Sequence, residues 1–492
     1  MLPAPPSAKW ASVTLVFLRL SKKASSRSRC VRLADAQHPV TNAGSRLDFP
    51  APEELLHFFR SIDLTGRSAL VAAVSGGSDS VALLMLARAW LKTAAPEVRL
   101  IAVTVDHGLR PGSAHEAQTV RELCARHGIV HQVQHWHGDK PSTGIAAAAR
   151  DARYGLLAQS ARTAGTDIVL AGHTLDDQVE TISMRGTRGD GRGLAGMASA
   201  TLYDQTVWIV RPLLQVRRTA LRSWLTEAGI GWVDDPTNSD VRYERPRMRL
   251  ALNESAAPIP VEAAQRARIS LGKRAAWLIS HHAQQVAPGL ICLEPDFLSH
   301  SDADAGTYAL RIMLAAVGGV EHLPEEARSG ALHHKLRTGA ARATLSRCVV
   351  ERRRGGVFLR RELRGLPAAA PVVHGAVWDG RFIVDANHAS TDLRVAPMGE
   401  GAPIAHQRHD CSIAQSLVRA SLAAQPAFFI NDILAGPTVD AGKARALARF
   451  SPMLTPWARF LPAFDLAPAR SLARLLGHPV PPSSPFTGHI EG

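Results

Sequence analysis

The chain has 492 residues, 46% of them hydrophobic, a formal net charge of +14 and a pI near 10.2. That length exceeds one compact core and implies about two to four domains, while no apolar stretch reaches the roughly 18 to 20 residues of a membrane span. The basic balance favours a polyanionic partner without choosing RNA or DNA; Cys30, Cys124, Cys292, Cys348 and Cys411 are scattered, which argues against zinc ribbons, iron–sulfur clusters and a disulfide framework and fits a reducing, cytoplasmic setting.

Residues 1–50 hold eight basic and two acidic side chains around the segment KKASSRSR. Transit peptides share this composition, but with so few apolar residues the expectation is a basic, disordered extension or a start placed too early. Residues 51–248 then repeat strand, loop and helix. ALVAAV (69–74), VRLIAVTV (98–105) and DIVLAG (167–172) are short apolar runs bounded by turn signals, with helix-like runs between them. Such alternation predicts an α/β domain, a parallel sheet with helices on both faces.

The first of these strands leads into Ser75-Gly76-Gly77-Ser78-Asp79-Ser80 and a helix starting near Ser80. Glycines let the backbone approach an anion, serines add hydroxyl donors, and the free N–H groups of a helix start favour phosphate. The pattern is neither a Walker A loop nor a dinucleotide fingerprint. A carboxylate beside bound phosphates calls for a divalent cation between them, so Asp79 is a candidate magnesium contact; an ordinary turn with Asp79 as a helix cap would use the same residue types. Further on, Asp106-His107-Gly108-Leu109-Arg110 follows the second strand, with Arg110 suited to neutralising phosphate charge. After the third strand, His173, Asp176, Asp177 and Glu180 recur at helical spacing, a polar cluster able to hold magnesium, with Asp177 the candidate ligand, and to accept a proton. The Gly- and Arg-rich segment 185–197 offers Arg185, Arg188 and Arg192 to RNA. IVRPLLQVRR and DDPTN follow, then Arg245 and Arg249, and Arg211, Arg245 and Arg249 are further candidate RNA contacts.

The Ser75–Ser80 segment after a buried strand resembles the pyrophosphate-binding loop of the N-type ATP pyrophosphatases, the PP-loop family. That resemblance implies that the loop holds the two phosphates leaving as pyrophosphate and that the substrate becomes adenylated. Together with the His-Gly-Leu-Arg segment, the acidic helix, the Gly/Arg loop and Arg211, Pro212, Asp235, Pro236 and Asn238, the chain is similar to the tRNA(Ile)-lysidine synthetase family. The family pattern has Arg-Asn where this chain has Arg245-Pro246, and proline offers neither an amide side chain nor a backbone donor. The resemblance implies an ATP- and Mg2+-dependent ligase acting on the wobble cytidine of a CAU-anticodon isoleucine tRNA with free L-lysine, with a homodimer admitted. Its rivals are a tRNA thiolase, which generally brings catalytic cysteines, an amidotransferase-coupled synthetase, and a tRNA-binding protein with an inactive core.

Beyond the α/β domain the expectation is a helical, basic, tRNA-contacting domain over 249–366. Residues 333–365 hold ten basic and two acidic side chains; Arg352, Arg353 and Arg354, with Arg360 and Arg361, are candidate contacts to a tRNA stem. A small mixed α/β domain is expected over 367–478, with short strands around the turn WDGR, and a disordered tail over 479–492.

Overall fold

The computed structural model describes residues 51–109, 112–186, 191–234, 261–339, 342–386, 393–399, 413–430, 433–434 and 448–488. The expectations for residues 1–50 lie outside them.

After a short helix α1 (Glu53–Leu56), the chain alternates β1 (Ala69–Ala73), α2 (Ser78–Ala94), β2 (Arg99–Asp106), α3 (Ser113–Arg126), β3 (Val130–His135), α4 (Ile145–Thr163), β4 (Ile168–Ala171) and α5 (Leu175–Gly186). The hairpin β5 (Ala200–Tyr203) and β6 (Val207–Val210) and the helix α6 (Arg218–Glu227) follow. The strands join a seven-stranded sheet of order β19-β5-β6-β4-β1-β2-β3, in which β3, β2, β1, β4 and β6 are parallel. β1 shows why its sequence is uniformly apolar: Leu70 and Ala72 pack into the core on one face, and Ala69 and Val71 into a second cluster with Tyr154, Leu157 and Ala158 of α4. With both faces covered, the two-residue alternation of a half-exposed strand disappears. The chain runs outward from β1 through β2 to β3 and then returns to place β4 on the other side of β1. That reversal leaves a crevice at the carboxyl ends of β1 and β4, where open α/β sheets bind ligands.

The region expected to be helical contains α7 (Val261–His282), α8 (Pro295–Ser299), α9 (Ala303–Gly318) and α10 (Glu326–Thr338). It also contains a five-stranded antiparallel sheet the sequence reading did not anticipate, β7 (Ala283–Ala287), β8 (Leu290–Leu293), β9 (Arg342–Leu345), β10 (Cys348–Arg353) and β11 (Gly356–Arg361), in the order β7-β8-β11-β10-β9. Its strands are short and lie close to helical runs, so the Ala- and Arg-rich composition masked them. The expected strands around WDGR are present: β12 (Ala370–Pro371), β13 (Val377–Trp378), β14 (Phe382–Ala386) and β15 (Leu393–Pro397), with Asp379 at φ 54° and Gly380 at φ 69° forming the tight turn between β13 and β14. α11 (Gln415–Ala423), β16 (Pro426–Ile430), β17 (Ile433–Leu434) and β18 (Ala448–Pro452) complete two small sheets, of four and three strands.

The C-terminal segment returns to the first domain. β19 (Phe460–Pro462) pairs antiparallel with β5, Phe460 opposite Tyr203, and α12 (Leu466–Leu476) packs on α7. Residues 479–488, expected within a disordered tail, instead run beside the start of the α/β domain: Asp63 N donates to Pro485 O at 2.7 Å, Ile62 bridges Phe486, and Phe486 is buried. One apolar core accordingly runs from Phe59 through Met313 to Phe486.

Candidate active site

The loop after β1 is shaped before any ligand arrives. Gly76 takes φ +90°, and its carbonyl accepts from Val233 N at 2.9 Å. Ser80 Oγ accepts from Ser75 N at 3.1 Å and donates to Gly77 O at 2.9 Å, so the hydroxyl closes the loop onto the helix start. α2 begins at Ser78, two residues earlier than expected, which places Ser78 and Asp79 in the first turn with its free N–H groups.

Two segments distant in sequence, residues 172–180 and the start of α6, converge on that turn. Gly172, just past β4, passes so close to α2 that a Cβ there would lie 2.8 Å from Asp79 O and 3.0 Å from Ser80 Cα. His173 follows in the connecting loop, ahead of α5, so His173 and Asp177 do not share the helical row expected for them. Asp177 Oδ2 accepts from Thr174 N at 2.8 Å and from Thr174 Oγ1 at 3.0 Å, which fixes the carboxylate at the helix start. Its Oδ1 faces outward to Arg218 Nη2 at 3.2 Å.

Arg218, at the start of α6, organises the centre. Its Nε donates to Asp79 Oδ2 at 2.7 Å, and its backbone N donates to Asp176 Oδ2 at 2.8 Å. Arg217 stands 3.6 Å from the other oxygen of Asp176, and Arg222 Nε donates to Ser78 Oγ at 3.1 Å. Burial raises the Asp79 carboxyl above its ordinary value, Arg218 opposes that shift, and the nearby Asp177 carboxylate adds to it. Glu180 is buried beneath, close enough to act electrostatically on Arg218. Sequence reasoning placed Asp79, Asp176, Asp177 and Glu180 together but missed Arg218, Arg222 and Gly172. All three stand in or near segments it had singled out, yet nothing in their spacing says that α6 folds back onto the phosphate loop.

Beside this centre lies a cavity of about 460 Å³, lined by Ser75, Gly77, Asp106, His107, Tyr154 and His173 among others. Asp106 Oδ1 accepts from Gly108 N at 2.8 Å, and this bond with its polar neighbours holds the carboxyl below its usual range although burial acts the other way. Burial keeps His107 below the usual imidazole value. Tyr154, nearly fully buried, would have its phenol pushed up by burial, but Arg211, Arg150 and Arg153 outweigh that and bring it down to about 7.

The expected RNA contacts fare differently. Arg188, Arg245, Arg249 and the side chain of Arg192 lie outside the described residues, as do Arg110, expected at the phosphates, and the motif positions Asp235, Pro236 and Asn238. Arg185 is exposed at the end of α5 and donates to Gly196 O at 2.8 Å. Arg211 is not a surface arginine: it is 4% exposed, and its Nη1 donates to Ala198 O and Thr201 Oγ1, both at 3.0 Å. Arg352, Arg353 and Arg354 sit at the β10–β11 turn rather than on a helix. Arg360 is buried, and the fully buried Arg361 donates to Asp379 Oδ2 at 3.0 Å beside Arg381, so neither faces solvent and Arg361 ties β11 to the WDGR turn.

Among the described residues no group of three or more His, Cys, Asp or Glu side chains is arranged to hold a metal, and no helix is long and apolar enough to cross a membrane. Cys124, Cys292 and Cys348 are buried, with thiols pushed up to about 11, 11 and 12 by burial, far from the thiolate a sulfur-transfer enzyme needs.

A family profile described as the PP-loop domain matches residues 50–256, and the chain uses ATP accordingly. Among solved structures, a U34-tRNA thiolase of Methanococcus maripaludis aligns with a TM-score of 0.37 and 18% identity over 44% of this chain and 78% of that one, and a Candida glabrata FMN adenylyltransferase with 0.24 and 16% over 36% and 59%; neither score carries an argument. Curated relatives align over far more. The tRNA(Ile)-lysidine synthase of Mesorhizobium japonicum is 49% identical over 451 residues, 89% of this chain and 98% of the relative. That of Rhizobium meliloti is 37% identical over 87% and 96%, and that of Brucella melitensis 39% over 70% and 80%. With that identity sustained across nearly the full length of both chains, and with the phosphate loop and acidic helix meeting at one centre, the chain belongs to the tRNA(Ile)-lysidine synthase family.

Proposed function

We propose that the chain adenylates the C2 oxygen of the wobble cytidine in a CAU-anticodon isoleucine tRNA and then joins free lysine there to form lysidine, releasing pyrophosphate and AMP. The observation that carries the chemistry is the Asp79–Arg218–Asp177 bridge set against the Ser75–Ser80 loop. Loop N–H groups and serine hydroxyls bind the two phosphates that depart together, and Arg218 and Arg222 balance their charge. The C2 oxygen attacks the α-phosphate and the bond to the bridging oxygen breaks. The lysine amine, having given up a proton, then attacks C2, and the oxygen leaves with AMP. His173 is the member of the polar cluster that lines the cavity, which makes it the leading candidate to take that proton.

Asp79 and Asp177 offer the hard oxygen donors that magnesium prefers, two carboxylates to be completed by phosphate oxygens and water, and Arg218 stands between them as a counter-cation. Magnesium bound there supplies further neutralisation of the pyrophosphate charge. Arg352, Arg353 and Arg354 at the β10–β11 turn serve a tRNA stem, adding affinity and little sequence readout. The test is to incubate the protein with ATP, bulk tRNA and each labelled amino acid in turn and digest the RNA. Label from lysine on a cytidine-derived nucleoside of the CAU isoleucine tRNA supports the reading; sulfur-dependent modification, or no tRNA product, defeats it.

A further inference from the structure

A second cavity, of about 490 Å³, opens next to the site described above, and the active-site chemistry makes no use of it. Its lining combines Arg150, Arg185, Arg211 and Arg268 with an apolar wall of Phe460 and Phe464. The arginines come from four places in the chain: α4, the end of α5, the residue after β6, and α7. No carboxylate is among the described lining residues. Arg268 is matched, donating to Asp465 at 2.7 and 3.2 Å and lying over the Phe464 ring. The Nε of Arg211 has no hydrogen-bond partner although the residue is only 4% exposed and its guanidinium lies against Tyr154. Burying an arginine with a donor unmet costs free energy that folding has to offset elsewhere, and four guanidinium groups gathered around one space with no carboxylate in its described lining favour an anion within it.

The position says which anion. β6 is parallel to β4, so Arg211 leaves the sheet at the same edge as His173, one strand further along. Tyr154 lines the first cavity, and Arg150, which lines the second, lies over its ring at 5.0 Å, so the two spaces are one stacked pair of side chains apart. A polymer whose reacting unit sits in the first cavity has its neighbouring unit at the second. A cluster of arginines for a phosphodiester beside aromatic rings for a base is the combination that single-stranded RNA recognition uses, and a cavity of this size is in the range that encloses a small ligand.

We propose that this cavity binds a nucleotide of the RNA adjacent to the one that is adenylated, its phosphodiester on Arg150, Arg185 and Arg211 and its base against Phe460 at the apolar wall. This rests on the tRNA reading above. It also gives Arg211 a role that its burial denies it as a surface contact, and it brings in Arg150 and Phe460, which no motif had marked.

The test uses Arg150→Gln/Arg185→Gln in the full chain, since both side chains are exposed and their replacement leaves the core intact. With a CAU anticodon stem-loop RNA, KM for the RNA should rise roughly tenfold and the salt slope of binding should shrink by about two, while KM for ATP stays put. Stem-loops carrying one neutral methylphosphonate at a time then locate the contact. Substitution at a phosphate flanking the target should weaken binding to the unmodified protein and add nothing further in the double variant. Fully additive losses at every position, or an RNA KM within about twofold of the parent, overturn the proposal, as does a variant that loses affinity for free pyrophosphate and none for RNA. Failure of the unmodified protein to alter any tRNA would instead strike the functional reading on which the proposal rests.

Discussion

Replacing Arg218 by methionine keeps an unbranched stem out to about the Nε position and removes the cation between Asp79 and Asp177. In the structure Arg218 is 19% exposed, and the two carboxylates it joins are 18% and 10% exposed. Breaking a fully buried pair by deleting one partner costs about 3 to 5 kcal/mol. Here Asp177 keeps its bonds to Thr174 and Asp79 its bond from Ser78, and water reaches the edge of the cluster, so the expected loss is about 2 to 3 kcal/mol. The pH dependence carries the diagnosis. Asp79 already has a folded-state value above its unfolded one, and removing Arg218 removes the main opposing influence, so the value climbs further. A carboxyl with a raised folded value contributes stability below its unfolded pKa and loses it as pH rises through the folded one. The deficit of Arg218→Met relative to the parent should therefore be large at neutral pH and shrink as pH falls towards 4, where Asp79 is protonated. Urea unfolding at several pH values measures this, and pyrophosphate release should be lost at every one of them. A deficit under about 1 kcal/mol, or one indifferent to pH, would refute the account of Arg218 as the counter-charge of a buried carboxylate pair.

Three other substitutions or titrations test separate parts of the site. Asp79→Asn and Asp177→Asn should each abolish pyrophosphate release while leaving tRNA binding largely intact, as measured by filter binding and a release assay; near-normal release from both would show that neither carboxylate serves the chemistry. Gly172→Ala forces a Cβ to within 2.8 Å of the Asp79 carbonyl and should cost about 1 to 3 kcal/mol by overpacking, with pyrophosphate release falling as the loop shifts, and unchanged stability and turnover would mean that the close approach is not required. Tyr154 should show a phenolate absorbance band appearing near pH 7 that Tyr154→Phe removes; because its folded value lies below its unfolded one, its ionisation stabilises the protein above the unfolded pKa and that contribution is lost as pH falls through about 7, so a band appearing only near pH 10 would contradict the arginine surround.

The chemistry of the centre was legible from the sequence because it is written locally. A phosphate loop is six consecutive residues between a strand and a helix, and the acids Asp176, Asp177 and Glu180 lie within one helix, so backbone geometry alone brings each set together, whereas His173 falls in the loop before that helix. β1, β2 and β4 were equally plain, since burial on both faces requires unbroken apolar runs.

Tertiary structure decided which of these local sets meet, and with what. Arg218 lies 139 residues from Asp79, and no periodicity links α6 to the phosphate loop; the contact exists because β4 sits beside β1 and β6 beside β4, all parallel, so that their following segments leave at one end of the sheet. Burial likewise sorted the arginines, which composition counts alike: Arg361 pairs with Asp379 inside the fold, Arg211 floors a cavity, and Arg150 and Arg185 remain exposed. The ordered segment 479–488 and strand β19 were hidden for the same reason. Pro- and Ser-rich sequence has little structure of its own, and here it is held by pairing with residues some 250 to 420 positions earlier, Phe460 with Tyr203 and Phe486 with Ile62, an interaction whose free energy belongs to the packed sheet and not to the segment.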